Sequence, residues 1–470
     1  MPRSWQHISM RWHVVGELPA EIFRDLDHYR PHSSPNLFTT TSTRKNDVHL
    51  EGFTYRHHRR WPGRAGCRKY LEQAGFHDYT ILERTDHVGG KCHSPNYHGR
   101  RYEMGAIMGV PSYDTIQEIM DRTGDKVDGP KLRREFLHED GEIYVPEKDP
   151  VRGPQVMAAV QKLGQLLATK YQGYDANGHY NKVHEDLMLP FDEFLALNGC
   201  EAARDLWINP FTAFGYGHFD NVPAAYVLKY LDFVTMMSFA KGDLWTWADG
   251  TQAMFEHLNA TLEHPAERNV DITRITREDG KVHIHTTDWD RESDVLVLTV
   301  PLEKFLDYSD ADDDEREYFS KIIHQQYMVD ACLVKEYPTI SGYVPDNMRP
   351  ERLGHVMVYY HRWADDPHQI ITTYLLRNHP DYADKTQEEC RQMVLDDMET
   401  FGHPVEKIIE EQTWYYFPHV SSEDYKAGWY EKVEGMQGRR NTFYAGEIMS
   451  FGNFDEVCHY SKDLVTRFFV

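Results

Sequence analysis

The sequence has few of the features that mark several common protein classes. Its six cysteines are scattered and form no C-x-x-C pair, which argues against a dithiol or zinc site and predicts reduced, mostly buried thiols in a cytoplasmic protein. The longest apolar run, Val295–Leu302, is too short to cross a bilayer, so we expect no stable membrane insertion. No G-x-S-x-G motif and no dense cluster of metal ligands is present, so hydrolase and metal chemistry have little support.

Positive charge is also scarce. The 470 residues hold 51 Lys+Arg against 75 Asp+Glu, a net charge of −24. This balance disfavours nucleic acid and anionic membranes as partners, and an acidic substrate would need a local cationic anchor. The 40% of hydrophobic residues nevertheless indicates a folded chain of several domains.

The charge is unevenly distributed. Residues 1–68 carry 11 Lys+Arg and 6 Asp+Glu, whereas residues 69–470 carry 40 and 69, so the net charges are +5 and −29. Residues 1–68 also lack sustained periodicity and an apolar signal-peptide core. We interpret residues 1–46 as a non-native leader, with a basic tail for an unknown partner as the alternative.

Regular patterns begin after this segment. Residues 69–74 predict the end of a helix with Gly75 as its C-cap, and residues 79–82 predict a short buried strand that ends at Glu83. These elements form the second half of a β-α-β unit. In a dinucleotide-binding unit, the acidic residue at this strand end accepts hydrogen bonds from the adenosine ribose. Glu83 fits that role, and a surface glutamate is the alternative.

The next residues fit a phosphate site. Gly89 and Gly90 would let backbone amides approach a pyrophosphate closely, and Lys91 would supply positive charge. The expected strand and G-x-G-x-x-G motif before residue 69 are, however, absent from the sequence. Read one base forward, Trp61 followed by Pro62 must encode glycine, and permitted codons allow the whole fingerprint. We therefore hypothesise that residues 47 to about 68 are an out-of-frame translation of the first β-α turn.

Two later segments complete an α/β pattern. Residues 270–288 predict a hairpin with an Asp279-Gly280 turn, and a buried strand ending at Pro301 follows. Near the C-terminus, a strand ends at Gly446-Glu447 and is followed by a helix over residues 456–469.

These motifs carry a family resemblance. ILERTDHVGGKC, RYEMGAIMG, VLVLTVPL and FYAGE followed by FGNF occur in the order found in flavin-containing amine oxidases, which the sequence resembles. Within that superfamily, residues 69–470 look like the FAD-dependent polyunsaturated fatty acid isomerases, which convert linoleic acid to a conjugated isomer. The resemblance implies an α/β fold, in which a Rossmann-like FAD-binding domain carries an inserted helical domain and a mixed α+β substrate domain.

The resemblance also implies domain boundaries and cofactor contacts. The FAD-binding domain would comprise residues 47–125, 255–305 and 430–470, with a mostly helical substrate or cap domain at 126–254 and a substrate domain at 306–429. The expected FAD-binding residues are Glu83, Gly89, Gly90, Lys91, Ala106, Val270 and Glu447.

The implied reaction is redox-neutral. Moving a double bond of a skipped diene requires breaking a C–H bond at the methylene between the two alkenes. Flavin N5 would take that hydrogen as hydride and return it at another carbon, giving the trans-10,cis-12 product. The cofactor does the hard chemistry, so no side chain is assigned a certain catalytic role.

Substrate binding would need an apolar tunnel and a cation. Aromatic residues are dense between 207 and 247, which ordinarily means core, and the resemblance singles out Phe214 and Phe239 as flanking the diene. Arg133 and Arg134 offer guanidinium groups for the carboxylate of a free fatty acid, and the resemblance favours Arg134. An exposed arginine without a ligand is the alternative. No nucleic acid and no obligatory protein partner is expected.

Two other functions remain open. An amine oxidase or desaturase-like dehydrogenase would consume oxygen or another acceptor. A flavin-free lipid-binding scaffold, or a non-functional translation product, would be colourless when purified.

Overall fold

The computed structural model describes residues 69–146, 149–174, 180 and 183–470. The expected leader, the frame-shift hypothesis for residues 47–68 and Cys67 lie outside the described residues. Within the described part, no helix has both the length and the apolar character needed to span a membrane.

Helices and strands come in runs along the chain. The helices are α1 (residues 69–73), α2 (Asp114–Thr123), α3 (Arg152–Ala168), α4 (Phe191–Asn198), α5 (Arg204–Phe211), α6 (Ala224–Tyr230), α7 (Phe233–Lys241), α8 (Gly250–Ala260), α9 (Leu302–Phe305), α10 (Asp313–Phe319), α11 (Gln387–Thr400), α12 (Ser422–Lys426), α13 (Trp429–Glu434) and α14 (Phe454–Phe468). The strands are β1 (Asn96–Tyr97), β2 (Arg100–Arg101), β3 (Arg134–Leu137), β4 (Ile143–Tyr144), β5 (Ile272–Glu278), β6 (Lys281–Thr286), β7 (Asp290–Ser293), β8 (Leu296–Leu298), β9 (Ile323–Val334), β10 (Ser341–Tyr343), β11 (Val358–Tyr360), β12 (Ile370–Leu376), β13 (Val405–His419) and β14 (Thr442–Tyr444). Helices α3 to α8 follow one another between β4 and β5, and β5 to β8 and β9 to β12 are runs of strands.

A seven-stranded sheet dominates the region between the two ends of the chain. Its strand order is β13-β9-β12-β11-β10-β3-β4, and each pairing is antiparallel except that of β10 with β3. Strands β3 and β4 come from within residues 126–254, so this segment is joined to residues 306–429 by backbone pairing. The domain boundaries expected from the sequence stay a prediction.

The two faces of this sheet differ in chemistry. Because successive side chains alternate, the observed registers place one set of aromatic rings on a single face. We call this the aromatic face, and its members are Phe136, Tyr327, Tyr343, Tyr360, Tyr374, Trp414 and Tyr416. The opposite face packs on α11 through a separate apolar core that includes Met328, Tyr359 and Val394.

The terminal regions form the α/β part of the fold. β8 and β14 pair in parallel, and Leu82 forms a parallel bridge with Glu267. The predicted hairpin is confirmed: β5 and β6 are antiparallel and joined by Asp279 and Gly280, whose φ values of 52° and 73° suit a tight two-residue turn. The α/β class predicted from the sequence is therefore observed.

Candidate functional site

Glu83 and Val270 lie next to each other. The backbone carbonyl of Glu83 accepts a hydrogen bond from the Val270 amide at 2.9 Å, directly after the Leu82–Glu267 bridge. The Glu83 side chain is 1% exposed, and its Oε1 accepts bonds from the backbone N–H and the hydroxyl of Thr85, both at 2.9 Å. Glu83 and Val270, the residues expected at the ribose and the adenine, are thus hydrogen-bonded neighbours.

Gly89, Gly90 and Lys91 form a turn that packs on residues 105–106. Gly89 and Gly90 have φ values of 100° and 64°, which glycine adopts without strain. The Lys91 carbonyl accepts a bond from the Ala106 amide at 2.8 Å. A Cβ atom on Gly105 would lie 1.9 Å from that carbonyl oxygen, so only glycine permits this approach. The turn and Ala106 therefore form one close-packed cradle.

Lys91 makes a buried ion pair with Glu447. The Lys91 Nζ donates to the two carboxylate oxygens at 2.9 and 3.1 Å, and the side chains are 11% and 2% exposed. Burial raises the pKa of Glu447 and lowers the pKa of Lys91, while the attraction between the two groups opposes both shifts. The pair has no net charge whichever partner holds the proton. The sequence suggested only a phosphate role for Lys91, whereas the structure places its ammonium against Glu447.

A cavity of ≈ 520 Å³, its open mouth included, lies beside this pair. The predicted cofactor residues Lys91 and Ala106 and the predicted tunnel residue Phe214 all line it. The remaining lining residues are Cys92, Gly105, Ile107, Met108, Tyr113, Tyr216, Tyr230, Tyr416, Gly452, Asn453 and Phe454. The aromatic rings, the glycine cradle and the neutral buried pair are chemically suited to a planar cofactor such as a flavin.

Phe239 and Arg134 extend this site away from the cavity. The Phe239 ring contacts the Phe214 ring, with the centroids 6.2 Å apart. The Arg134 Nη2 donates to the backbone carbonyl of Phe239 at 3.0 Å. The structure thus brings together the three residues that the sequence assigned to the substrate, in the order Phe214, Phe239, Arg134.

Sequence reasoning missed several residues near the site. Tyr416 lies under the Lys91 ammonium, 4.7 Å from Nζ to the ring centroid, and lines the cavity. Glu303 is largely buried, and burial raises its pKa to about 7 while Lys91 opposes the rise. His324, whose pKa burial lowers to about 3, has its Nε2 3.6 Å from Glu303 Oε1. No local pattern distinguishes these residues, because only the tertiary fold brings them to Lys91.

Two groups of acidic residues and histidine lie elsewhere among the described residues. His459 Nε2 is 2.5 Å from Asp114 and 3.4 Å from Asp455, and His379 Nε2 is 3.1 Å from Asp220. Histidine-carboxylate pairing accounts for both groups, and the first joins α14 to α2.

Comparisons with known proteins agree with this geometry. The family model of flavin containing amine oxidoreductases matches residues 68–452. Polyamine oxidase 1 of Zea mays is 31% identical over 109 residues, which span only 21% of this chain and 21% of that protein. The crystal structure of a CLA-producing fatty acid isomerase from P. acnes has a TM-score of 0.88 and 96% identity, and the match covers 89% of this chain and 99% of that one.

More distant structures share the fold alone. Wild-type putrescine oxidase bound to putrescine is 13% identical with a TM-score of 0.66, over 89% of this chain and 99% of that one. The family match confirms the prediction of an amine oxidase-like flavoenzyme, and the shared fold agrees with the predicted Rossmann-like domain. A flavin cofactor follows from the family. Because the family model matches most of the chain's length, the chain belongs to the flavin containing amine oxidoreductases.

Proposed function

We propose that this chain is an FAD-dependent isomerase that converts free linoleic acid to the trans-10,cis-12 conjugated isomer. The P. acnes structure, described as a CLA-producing fatty acid isomerase, is 96% identical over most of the chain and supports the substrate class. Five free, buried cysteines in the described part of the chain support a cytoplasmic location. No obligatory protein partner is required by the proposal.

The observation that carries the proposal is the state of Arg134. The residue is half-buried, and no carboxylate among the described residues lies within 4.0 Å of its guanidinium. In a protein with 75 acidic residues, an arginine without an acidic partner keeps its positive charge for an anionic ligand. A fatty acid carboxylate matches the planar fork of arginine.

The residues between Arg134 and the cavity suit the rest of the substrate. Arg134 contacts the Phe239 backbone, the Phe239 ring contacts Phe214, and Phe214 lines the cavity together with Tyr216 and Tyr230. Apolar faces bind the acyl chain, and aromatic rings stabilise positive charge that develops on the diene when hydride leaves the central methylene. Hydride return at another carbon completes the shift of the double bond, so no net oxidation occurs.

The cofactor would be held by residues already in place. Glu83 and the Val270 backbone would hold the adenosine, the turn at Gly89 and Gly90 the pyrophosphate, and Lys91 with Ala106 and Glu447 the remainder. When bound, a flavin supplies reversible hydride acceptance, which this redox-neutral reaction requires. The side chains would orient the substrate.

The test compares purified parent protein with Arg134→Gln. The visible spectrum gives flavin content, and anaerobic incubation with linoleic acid is followed by ultraviolet absorbance and chromatography of the product. We expect conjugated diene without peroxide from the parent. Losing one charge-assisted contact of about 1.5–3 kcal/mol should raise KM about 10- to 150-fold in Arg134→Gln, with flavin content unchanged.

Arg133→Gln is the matched control, because Arg133 is the exposed neighbour of Arg134 on the same segment. It should leave KM at the parent value. A colourless parent, or one that forms peroxide rather than conjugated diene, would refute the proposed function. A parent-like KM in Arg134→Gln would remove Arg134 from the substrate site.

A further inference from the structure

The parallel pairing of β3 with β10 places Arg134 beside an aromatic pair. In this register Ser341 lies opposite Arg134, and Tyr343 lies opposite Phe136. Alternation along each strand puts Arg134, Phe136 and Tyr343 on the same face of the sheet. This is the aromatic face, the same face that carries Tyr416 at the cavity.

Two rings and one carbonyl set the position of the Arg134 guanidinium. Its central carbon lies 5.8 Å from the Phe136 ring centroid and 5.9 Å from the Tyr343 ring centroid, both within cation-π range. The Arg134 Nη2 also donates a 3.0 Å hydrogen bond to the Phe239 carbonyl. These contacts hold the group in place without neutralising it, so its charge stays available to a ligand.

Tyr343 also touches the cavity wall. Its ring meets the Phe214 ring edge-on, with centroids 6.4 Å apart and an angle of 72° between the planes. Tyr343 is 5% exposed, and burial raises its pKa to about 12, opposed by Arg134. The side chain is therefore a neutral phenol that contacts the cation on one side and a cavity-lining ring on the other.

We propose that Tyr343 is a positioning residue that fixes the distance between the carboxylate anchor and the reacting double bonds. This inference rests on the proposed function. A fatty acid held at Arg134 presents a given methylene to the cavity only if the guanidinium stays at a constant place relative to Phe214. Tyr343 contacts both residues, so it determines which carbon atoms of the acyl chain lie at the cavity.

The experiment uses the flavin-loaded full chain and the variants Tyr343→Leu and Tyr343→Phe. For linoleic acid, Tyr343→Leu should raise KM about 3- to 10-fold, the size of a partly desolvated cation-π contact, and broaden the positional isomers formed. For methyl linoleate, which has no carboxylate, KM should not change. Tyr343→Phe keeps the ring and should have the KM and the isomer distribution of the parent. In the double variant, Tyr343→Leu should not raise KM beyond its value in Arg134→Gln.

Tyr359→Leu is the control, because Tyr359 is an equally buried tyrosine on the opposite face of the same sheet. It should leave the acid-to-ester ratio of KM unchanged. Equal changes for acid and ester in Tyr343→Leu, or no change at all, would overturn the inference.

Calorimetric binding of stearic acid, which cannot isomerise, separates this inference from the proposed function. If the parent makes no conjugated diene but both Tyr343→Leu and Arg134→Gln bind stearate more weakly than the parent, the anchor is supported and the isomerase is refuted. If the parent is an active isomerase and Tyr343→Leu binds stearate as tightly as the parent does, the inference alone is refuted.

Discussion

Asp330 provides a sharp test of the packing behind the aromatic face. It lies in β9 with 0% exposure, on the face that packs on α11. Its Oδ2 accepts a long 3.4 Å bond from the Thr373 hydroxyl, and Oδ1 has no hydrogen-bond partner among the described residues. Burial raises its pKa to about 8, Glu411 adds to the rise, and Thr373 and Arg391 oppose it. The folded protein therefore keeps this carboxyl protonated at neutral pH.

The sign and size of the effect on stability follow from linkage. The pKa of Asp330 is higher in the folded chain, about 8, than the ordinary 3.8, so the folded state binds more protons between these pH values and stability falls as pH rises through that window. One pKa unit corresponds to about 1.4 kcal/mol, so the cost at pH 7 is on the order of 4 kcal/mol. Asp330→Asn removes this pH-dependent cost but adds amide donors that lack partners, at about 1–3 kcal/mol.

We expect Asp330→Asn to be less stable than the parent near pH 4.5 and more stable above pH 7. Between pH 5 and pH 7 the difference in unfolding free energy should change by about 3 kcal/mol in favour of the variant. Urea denaturation followed by circular dichroism at matched pH values measures it. Asp396→Asn, an exposed change on α11, is the control and should run parallel to the parent. Parallel curves for Asp330→Asn would show that Asp330 is already ionised in the folded protein and would refute the reasoning.

Two further changes test the cradle beside the cavity. Lys91→Met leaves Glu447 buried without its cation, so we expect about 3–5 kcal/mol of destabilisation and loss of flavin. The double variant that also carries Glu447→Gln should regain most of the stability. A single variant as stable as the double variant would contradict this. Gly105→Ala places a Cβ atom 1.9 Å from the Lys91 carbonyl oxygen and should cost at least about 1–3 kcal/mol and lower flavin content, measured by urea denaturation and visible absorbance. Gly435→Ala, where the nearest atoms lie at 3.3 Å, needs a shift of only a few tenths of an ångström and should cost much less, and equal effects of the two alanines would argue against the cradle.

Features decided by neighbouring residues were predictable from the sequence. The Asp279-Gly280 turn joins β5 and β6 as expected, because both residues tolerate positive φ. The last helix begins at Phe454, two residues before the predicted start, because Asn453 caps it by accepting a bond from the Glu456 amide at 2.8 Å. The sequence also placed Gly75 correctly at the end of a helix, with a φ of 89°.

Features that join distant segments were not predictable. Lys91 and Glu447 are separated by 356 positions, and β3 pairs with β10 across about two hundred residues. Arg277 likewise makes a buried bidentate pair with Glu315, 38 positions later, at 2.5 and 2.7 Å. No periodicity specifies such pairings, because each depends on the packing of the whole chain. Arg134, Phe214 and Phe239 were named from resemblance, and Tyr343 had no sequence signal.

The position of Arg134 on a strand bears on how selective the reaction can be. An arginine on a surface loop would bind a carboxylate, but the loop's motion would let the acyl chain slide by one or two methylenes, and a different carbon would reach the cavity. β3 is held by β10 on one side and β4 on the other, and Phe136 and Tyr343 restrict the guanidinium itself. The charge near the cavity is limited as well, because Lys91 is neutralised by Glu447. Under the proposed function, a fatty acid anion would therefore meet a fixed cation that has no carboxylate partner among the described residues, and the position of its double bonds would be measured from that point.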